Sequence, residues 1–339
     1  MKAAIVLGIL LALSVLNNFR HLVHGVAAHV KGGRQAREHL EEVLFENNHS
    51  KNKIAVLDIT GIISSEPWDR SGHNLVDLIS DQLRLAADDD SIKAVILKVD
   101  SPGGEVLASD EINRELAEFQ RNCRKPVVAS MGGLAASGGY YVSAPCQWIV
   151  ANELTITGSI GVIMHSYNYR GLLTKVGVRP EVFKSGRFKD MLSGEKTEEE
   201  ILPEEKQMVQ ALIDETFEKF KQVVAEGRKH SHEQNGSEGR PLADRWEDYA
   251  DGRVLSGKQA FELGFVDELG NFDTAVERAK DLAGVNNANL VQYERPFDLG
   301  NLFRLFGQTE SRAVKIDLGL QLPKLQVGRL YFLSPTVLH

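Results

Sequence analysis

Two apolar runs that each empty into a glycine-rich loop constrain this chain more than any other feature. Lys93 to Val99 (Lys-Ala-Val-Ile-Leu-Lys-Val) reads as a buried strand and runs straight into Asp100-Ser101-Pro102-Gly103-Gly104-Glu105. Pro126 to Ala129 reads as a second short strand and is followed by Gly132-Gly133-Leu134-Ala135-Ala136-Ser137-Gly138-Gly139-Tyr140-Tyr141. Parallel neighbouring strands present the loops after them at one edge of a sheet, where ligand sites of open α/β folds lie. If Leu134 to Ala144 follows as a helix, Ser137 stands near a helix N-terminus with free N–H groups around it. Gly138 then lets the backbone approach a substrate carbonyl without a Cβ in the way. Gly104 and Gly138 become two converging N–H donors for a tetrahedral oxyanion, and losing one such donor costs about 3 kcal/mol of barrier. Taken alone, the stretch also fits a glycine-rich helix-packing turn with an incidental serine. It is not a Gly-x-Ser-x-Gly elbow, because Ala135 stands two residues before Ser137.

A nucleophilic serine needs a base, and the downstream candidates are His165, Lys184 and Lys189. A lysine at its reference pKa of about 10.4 is neutral only about once in 2,500 molecules at pH 7. Making it half neutral requires lowering that pKa by about 3.4, roughly 4.6 kcal/mol, which burial can supply. Lys189 stands beside Phe188, Met191 and Leu192, an apolar setting, although Asp190 opposes deprotonation if its carboxylate faces the amine. His165 needs no large shift but has no clear carboxylate to orient it.

The set Asp100-Ser101-Pro102-Gly103-Gly104, Ala136-Ser137-Gly138-Gly139-Tyr140-Tyr141, Thr157-Gly158-Ser159-Ile160-Gly161-Val162 and Lys184-Ser185-Gly186-Arg187-Phe188-Lys189-Asp190 resembles, in order and spacing, the signal peptide peptidase A (protease IV) family in its short, single-repeat form. The similarity extends over about Ile54 to Gly284. The resemblance implies a Clp/crotonase-like α/β fold of repeated strand-strand-helix units and a serine-lysine dyad, with Ser137 as nucleophile and Lys189 as general base. By the same matching, Gly104 and Gly138 are the oxyanion donors and Ser159 holds the lysine. It also implies a homo-oligomeric ring in which the serine and lysine of each site come from adjacent protomers.

The rest of the chain suits an α/β body. Ile54 to Ile59 is expected as the first strand, Leu75 to Ala87 as an amphipathic helix, Ile92 to Val99 as a strand, Val106 to Arg121 as a helix and Gln147 to Val150 as a strand. Ile160 to Met164 and Pro180 to Phe183 are further short strand candidates. Pro203 to Lys229 is a long helix that stops before the polar stretch His230 to Gly239, and Ser256-Gly257-Lys258 is a helix start. His230 and His232 are expected to be solvated, since no third metal ligand is near. The only cysteines, Cys123 and Cys146, make no disulfide framework or zinc pattern, and Cys146 reads as a small buried hydrophobe.

Ahead of that body, Ala3 to Leu16 is an unbroken run of apolar or small residues behind Lys2. As a helix it spans about 21 Å, against a hydrocarbon core of about 30 Å. It fits either a membrane anchor helped by Asn17 to Arg20, with Arg20 snorkelling, or the apolar region of a signal peptide cleaved after Ala28. A retained anchor over 1–22 is the expectation. Arg20, Lys31, Arg34 and Arg37 outnumber Lys2 and the amino terminus, which points the body inward, but the resemblance implies a bacterial inner-membrane protein with its catalytic domain on the outer, periplasmic side. Ala36, Leu40, Val43 and Leu44 have helical spacing, so Arg34 to Asn47 is expected as an amphipathic helix within a juxtamembrane segment 23–52, ahead of a peptidase domain over 53–284. In the C-terminal extension, 285–339, Val314 to Leu322 alternates as a strand, expected as an edge strand on its own or a neighbouring body rather than as a tail in the substrate groove. Leu330 to Leu333 is a second apolar patch.

The expected function is a membrane-anchored serine endopeptidase acting on signal-peptide remnants or other extended hydrophobic peptides, with no metal or organic cofactor. Its partners are peptide substrates, membrane lipid through the first helix, and copies of itself. The net charge of −8 leaves no basic footprint for nucleic acid. The alternatives are a crotonase-like acyl transferase or hydrolase, which calls for a coenzyme A pocket and a carboxylate where Ser137 stands, and a non-catalytic membrane scaffold.

Overall fold

The apolar runs become the centre of a ten-stranded mixed sheet because both of their faces are covered. The computed structural model describes residues 40–67, 74–236, 238–295 and 329–334. Its strands are β1 (Glu41–Glu46), β2 (Lys53–Ile63), β3 (Ile92–Glu105), β4 (Val127–Ala136), β5 (Trp148–Ala151), β6 (Ile156–Gly158), β7 (Val254–Ser256), β8 (Glu268–Leu269), β9 (Asn289–Glu294) and β10 (Tyr331–Leu333). They lie in the order β1-β9-β2-β3-β4-β5-β8, with β6 also on β4, β7 on β6, and β10 on β3. The interior pairs from β9 to β8 are parallel, whereas β1, β7 and β10 pair antiparallel.

Side chains alternate across these strands, and each set meets its own helices. Leu57, Ile59, Val95, Leu97, Val127 and Ala129 join one core with Ile79 and Leu83 of α1 (Leu75–Asp88) and Ile112 and Leu116 of α2 (Val106–Cys123). The intervening Ile54, Val56, Ala94, Ile96 and Val128 join a second core with Ala275, Val276 and Ala279 of α7 (Phe272–Ala283). Two covered faces require apolar residues at consecutive positions, which is why these strands read as continuous runs. The cover by α7 ends early. Beyond Val56, Ile96 and Val128 the same face turns polar at Asp58, Lys98 and Ser130, which line an open groove of about 530 Å³.

Local chemistry sets the helix ends. The Asn74 side chain accepts the Asp77 amide at the start of α1, and Asn271 accepts that of Thr274 at the start of α7, which closes on Gly284 at φ 66°. Ser256 and Gln259 form a capping box on α6 (Gly257–Glu262), the helix start expected at Ser256-Gly257-Lys258. The remaining helices are α3 (Gly138–Ser143), α4 (Arg170–Lys175) and α5 (Pro203–Gln234).

Several expectations are corrected. The helix expected over Arg34 to Asn47 is instead, in its described part, strand β1, which pairs antiparallel with β9 from Glu41 opposite Glu294. Inter-strand hydrogen bonds with a distant segment override the helical spacing of its apolar residues. β9 also pairs with β2, so the sheet takes in residues on both sides of the expected 53–284 domain. β4 extends through the glycines to Ala136, and the helix expected from Leu134 begins at Gly138, because Leu134, Ala135 and Ala136 are held extended against Ile156, Thr157 and Gly158. Pro180 to Phe183 forms no strand, and Ile160 to Met164 contributes one isolated bridge at Ile163. α5 runs past Lys229 through His230 and His232 because its last turn is docked: Ser231 Oγ and Asn235 Nδ2 both donate to the Gln147 carbonyl, at 2.6 and 2.9 Å. The expected anchor over 1–22 and the alternation Val314 to Leu322 lie outside the described residues. Among the described residues, no helix is long and apolar enough to cross a membrane.

Candidate active site

Ser137 occupies the turn where β4 becomes α3, and its backbone is strained there. Its φ of 55° and ψ of −116° are unusual for a residue with a side chain and cost about 1–3 kcal/mol. The surroundings hold the turn in place. The Ser137 amide donates to the Gly158 carbonyl at 2.8 Å, and the Ser137 carbonyl accepts the first helical bond from Tyr141 at 2.8 Å. Tyr140 is fully buried and donates its hydroxyl to the Phe265 carbonyl at 2.9 Å, while Tyr141 donates to Asp110 at 2.7 Å. Asn113 of α2 donates to the Tyr141 carbonyl at 2.9 Å. Ser137 is 1% exposed, and its hydroxyl makes no hydrogen bond within the described residues.

The second glycine loop packs directly against this turn. A Cβ placed on Gly138 would stand 3.1 Å from the Gly104 amide nitrogen and 2.7 Å from Ser109 Oγ, so only a glycine allows the two loops to touch. Gly103 turns the chain at φ 98°. Ser101 fixes that turn, donating its hydroxyl to the Gly61 carbonyl at 2.6 Å and accepting the Gly103 amide at 3.0 Å. The structure therefore brings Ser137, Gly138 and Gly104 together. Ser159 belongs to the same neighbourhood: it follows Gly158, which pairs with Ala136, and it is 3% exposed, with φ 51° and its amide donated to Arg253 at 2.7 Å.

Lys189 makes no hydrogen bond to Ser137 within the described residues of one chain. It lies in an exposed turn, and its side chain makes no hydrogen bond or ion pair with any described residue. The opposing carboxylate of Asp190 is engaged elsewhere, by Lys184 at 2.7 Å and by the buried Lys196 at 3.3 Å. The Lys184 hydrogen bond, joined by Lys196, holds the Asp190 carboxyl below the usual carboxylate range. Arg187 tethers the turn to the start of α5 through Glu204 at 2.9 Å. His165 does not join Ser137 either; its Nε2 is buried with no partner among the described residues. The Cys146 thiol is buried and pushed up to about 12 by that burial, so it holds its proton and is no nucleophile at neutral pH.

Sequence reasoning missed two supports of the loops. One is Ser101, visible in the Ser-Pro-Gly-Gly motif but not as the clasp of the Gly103 turn. The other is Glu105, whose carboxylate accepts the Ser65 hydroxyl at 2.6 Å and pairs with Arg329 at 2.5 Å. Burial pushes the Glu105 carboxyl up, and Ser65 and Arg329 together more than offset this, leaving it below its ordinary value. No sequence signal near Glu105 points to Arg329.

A mixed α/β sheet with a strained serine turn and a touching glycine loop at the carboxyl ends of its parallel strands defines the class, an α/β peptidase. The chain belongs to peptidase family S49, the family of signal peptide peptidase A and protease 4. The family's model matches residues 119–286. The chain is 39% identical over 237 residues to a putative protease of Synechocystis, covering 70% of this chain and 76% of that protein. It is 35% identical over 259 residues to a putative signal peptide peptidase SppA of Enterococcus faecium, covering 75% and 71%. Protease 4 of Haemophilus influenzae is 35% identical over 249 residues, covering 73% of this chain and 38% of that longer protein. Among solved structures, a mutant of the 1510-N membrane-bound stomatin-specific protease superposes with a TM-score of 0.43 at 14% identity, over 72% of this chain and 98% of that one.

Proposed function

We propose that this member of family S49 is a membrane-anchored serine endopeptidase of Clp/crotonase-like architecture that cleaves extended hydrophobic peptides, such as signal-peptide remnants, at a serine-lysine site shared between neighbouring chains. The observation that carries the reading is the strained Ser137 turn in contact with Gly104. Ser137 Oγ attacks the substrate carbonyl and passes its proton to the Lys189 amine, which Ser159 orients. The N–H groups of Gly104 and Gly138 receive the charge that develops on the carbonyl oxygen. The protonated lysine then supplies the leaving amine, and a water molecule repeats the sequence on the acyl-enzyme.

The exposure of Lys189 supports a shared site, because the segment that carries it also presents large apolar side chains to solvent. Tyr167 is 68% exposed, Leu172 62% and Phe183 93%, all on the segment that carries the lysine turn. A second copy of the chain covers such a surface and draws the lysine out of water, the desolvation its neutral form needs. The direct test is labelling with a fluorophosphonate. Wild-type protein is expected to be labelled at one residue, Ser137, and Ser137→Ala to take up no label; equal labelling of both would remove Ser137 from the reaction.

Anchoring rests on the run Ala3 to Leu16. The full chain is expected to stay with carbonate-washed membranes, its catalytic body on the outer side. Release of a product trimmed near Ala28 would show a cleaved signal peptide instead.

A further inference from the structure

The segment that carries Lys189 is an arm closed at its base. From Gly161 to Ser193 no residue is buried, so the arm has no core of its own. Its two ends are laced together instead: the Tyr169 amide donates to the Gly194 carbonyl at 2.9 Å, and the Asn168 side chain donates to the Lys196 carbonyl at 2.9 Å. Between them the lysine turn is tight, with the Lys189 amide on the Gly186 carbonyl at 3.2 Å, the Ser193 amide on that of Asp190 at 3.1 Å, and Leu192 at φ 64°. Ion pairs join this turn to α5.

Lys196 stands where the base of the arm, the lysine turn and α5 meet. Its Nζ donates to Glu205 of α5 at 2.6 Å and to Asp190 of the turn at 3.3 Å, and both Lys196 and Glu205 are buried. Lys184 takes the other oxygen of the Asp190 carboxylate, at 2.7 Å. Each oxygen of Asp190 thus faces an ammonium, and two ammoniums with two carboxylates leave the cluster neutral. Around it, Arg187 pairs with Glu204 at 2.9 Å, and Lys206 is the remaining charged residue on the cavity of about 260 Å³ that Lys196 and Glu205 line. Burial pulls the Lys196 ammonium down, and Glu205 and Asp190 more than offset this, leaving it above its ordinary value.

The cluster matters because Asp190 follows Lys189 directly. No ion pair joins the two among the described residues. A bare carboxylate at that position would stabilise the ammonium form of Lys189 and oppose the neutral amine that a general base presents. Engaging both of its oxygens with other lysines removes that opposition. The same contacts fix where the turn presents Lys189, and proton transfer depends on that placement.

We infer that Lys196 is the positioning residue of the lysine turn: together with Lys184 it neutralises the Asp190 carboxylate, and through Glu205 it fixes the turn to α5, so that Lys189 is offered to a serine without a bare carboxylate beside it. The inference rests on the serine-lysine reading of the site and adds what tunes its base.

The test is the pH dependence of kcat/KM on a quenched hydrophobic peptide, measured with the full-length protein and its variants. For a lysine base the rate rises with pH through an apparent pKa. Removing one ammonium leaves net negative charge beside Lys189, so Lys196→Gln and Lys184→Gln are each expected to move the midpoint up by about one pH unit and to lower the rate below it about tenfold. Asp190→Asn removes a carboxylate and is expected to move the midpoint the opposite way, while Lys196→Arg keeps the wild-type profile. Should Lys196→Gln fail to fold, the more exposed Lys184 and the conservative Asp190→Asn still read the sign. Coincident profiles for wild type, Lys184→Gln and Asp190→Asn would overturn the inference. So would loss of turnover at an unmoved midpoint, which is what a merely structural clamp produces, or a wild-type midpoint in folded Lys196→Gln. Wild-type turnover in Lys189→Ala, or no fluorophosphonate label at Ser137, would instead bring down the catalytic reading on which the inference stands.

Discussion

A one-to-one mixture of Ser137→Ala and Lys189→Ala chains, allowed to exchange subunits, is expected to recover about a quarter of wild-type peptidase activity, although each variant alone falls by a factor of about 10⁴ or more. In the proposed mechanism both residues act in one proton transfer, so losing either stops the same step. The recovery depends on where the lysine comes from. Within one chain Ser137 is buried at the end of β4, while Lys189 is exposed and makes no hydrogen bond or ion pair among the described residues. If a neighbour's turn delivers the lysine, each site in the mixture has an intact serine about half the time and, independently, an intact lysine about half the time. If each chain builds its own site, every site in the mixture lacks one partner. Activity near zero after exchange has been verified by a labelled subunit would therefore reject the shared site. His165→Ala is the control for the base: loss of turnover there, with Lys189→Ala active, would reassign it.

Replacing Arg228 by methionine is expected to cost about 3–5 kcal/mol of stability. Arg228 projects from α5 into the core and pairs with Asp267, with side-chain exposures of 0% and 1%. Arg228 also donates to the Cys146 carbonyl at 3.3 Å, and Asp267 accepts the Ile149 amide at 2.8 Å, so the pair ties α5 to the strands beside the site. Removing the guanidinium leaves a carboxylate buried with one remaining donor. The double variant Arg228→Met, Asp267→Leu is expected to regain most of the loss, because no charge is then left uncompensated. Denaturant unfolding of the three proteins checks both statements; a single variant within 1 kcal/mol of wild type would show that water reaches Asp267. Since Tyr140 is anchored on Phe265, two residues from Asp267, the single variant is also expected to loosen the turn that strains Ser137.

The strands at the centre of the sheet were legible because burial on both faces writes itself into consecutive residues, as in Lys93 to Val99. The glycines were legible for a similar reason: at Gly103 and Gly138 the space for a side chain is already taken by backbone or by a neighbouring hydroxyl, and no other residue fits. α1 and α2 declared themselves over Leu75 to Ala87 and Val106 to Arg121 through their own residues. These signals are local, and the sequence alone determined them.

What tertiary structure decided lies where the partner is far along the chain. Glu41 to Glu46 has helix-compatible spacing, yet it forms a strand because its hydrogen bonds go to Asn289 to Glu294. Leu134 to Ala136 stays extended because Ile156 to Gly158 runs alongside. Leu330 to Leu333 looked like an isolated apolar patch until its backbone was found between Gly104 and Ile163. In each case a backbone N–H or C=O must be paired once it is buried, and which group pairs it depends on what the fold has carried alongside. Local sequence set each segment's own periodicity, turns and caps; the choice among conformations that satisfied them equally well passed to the neighbour across the sheet.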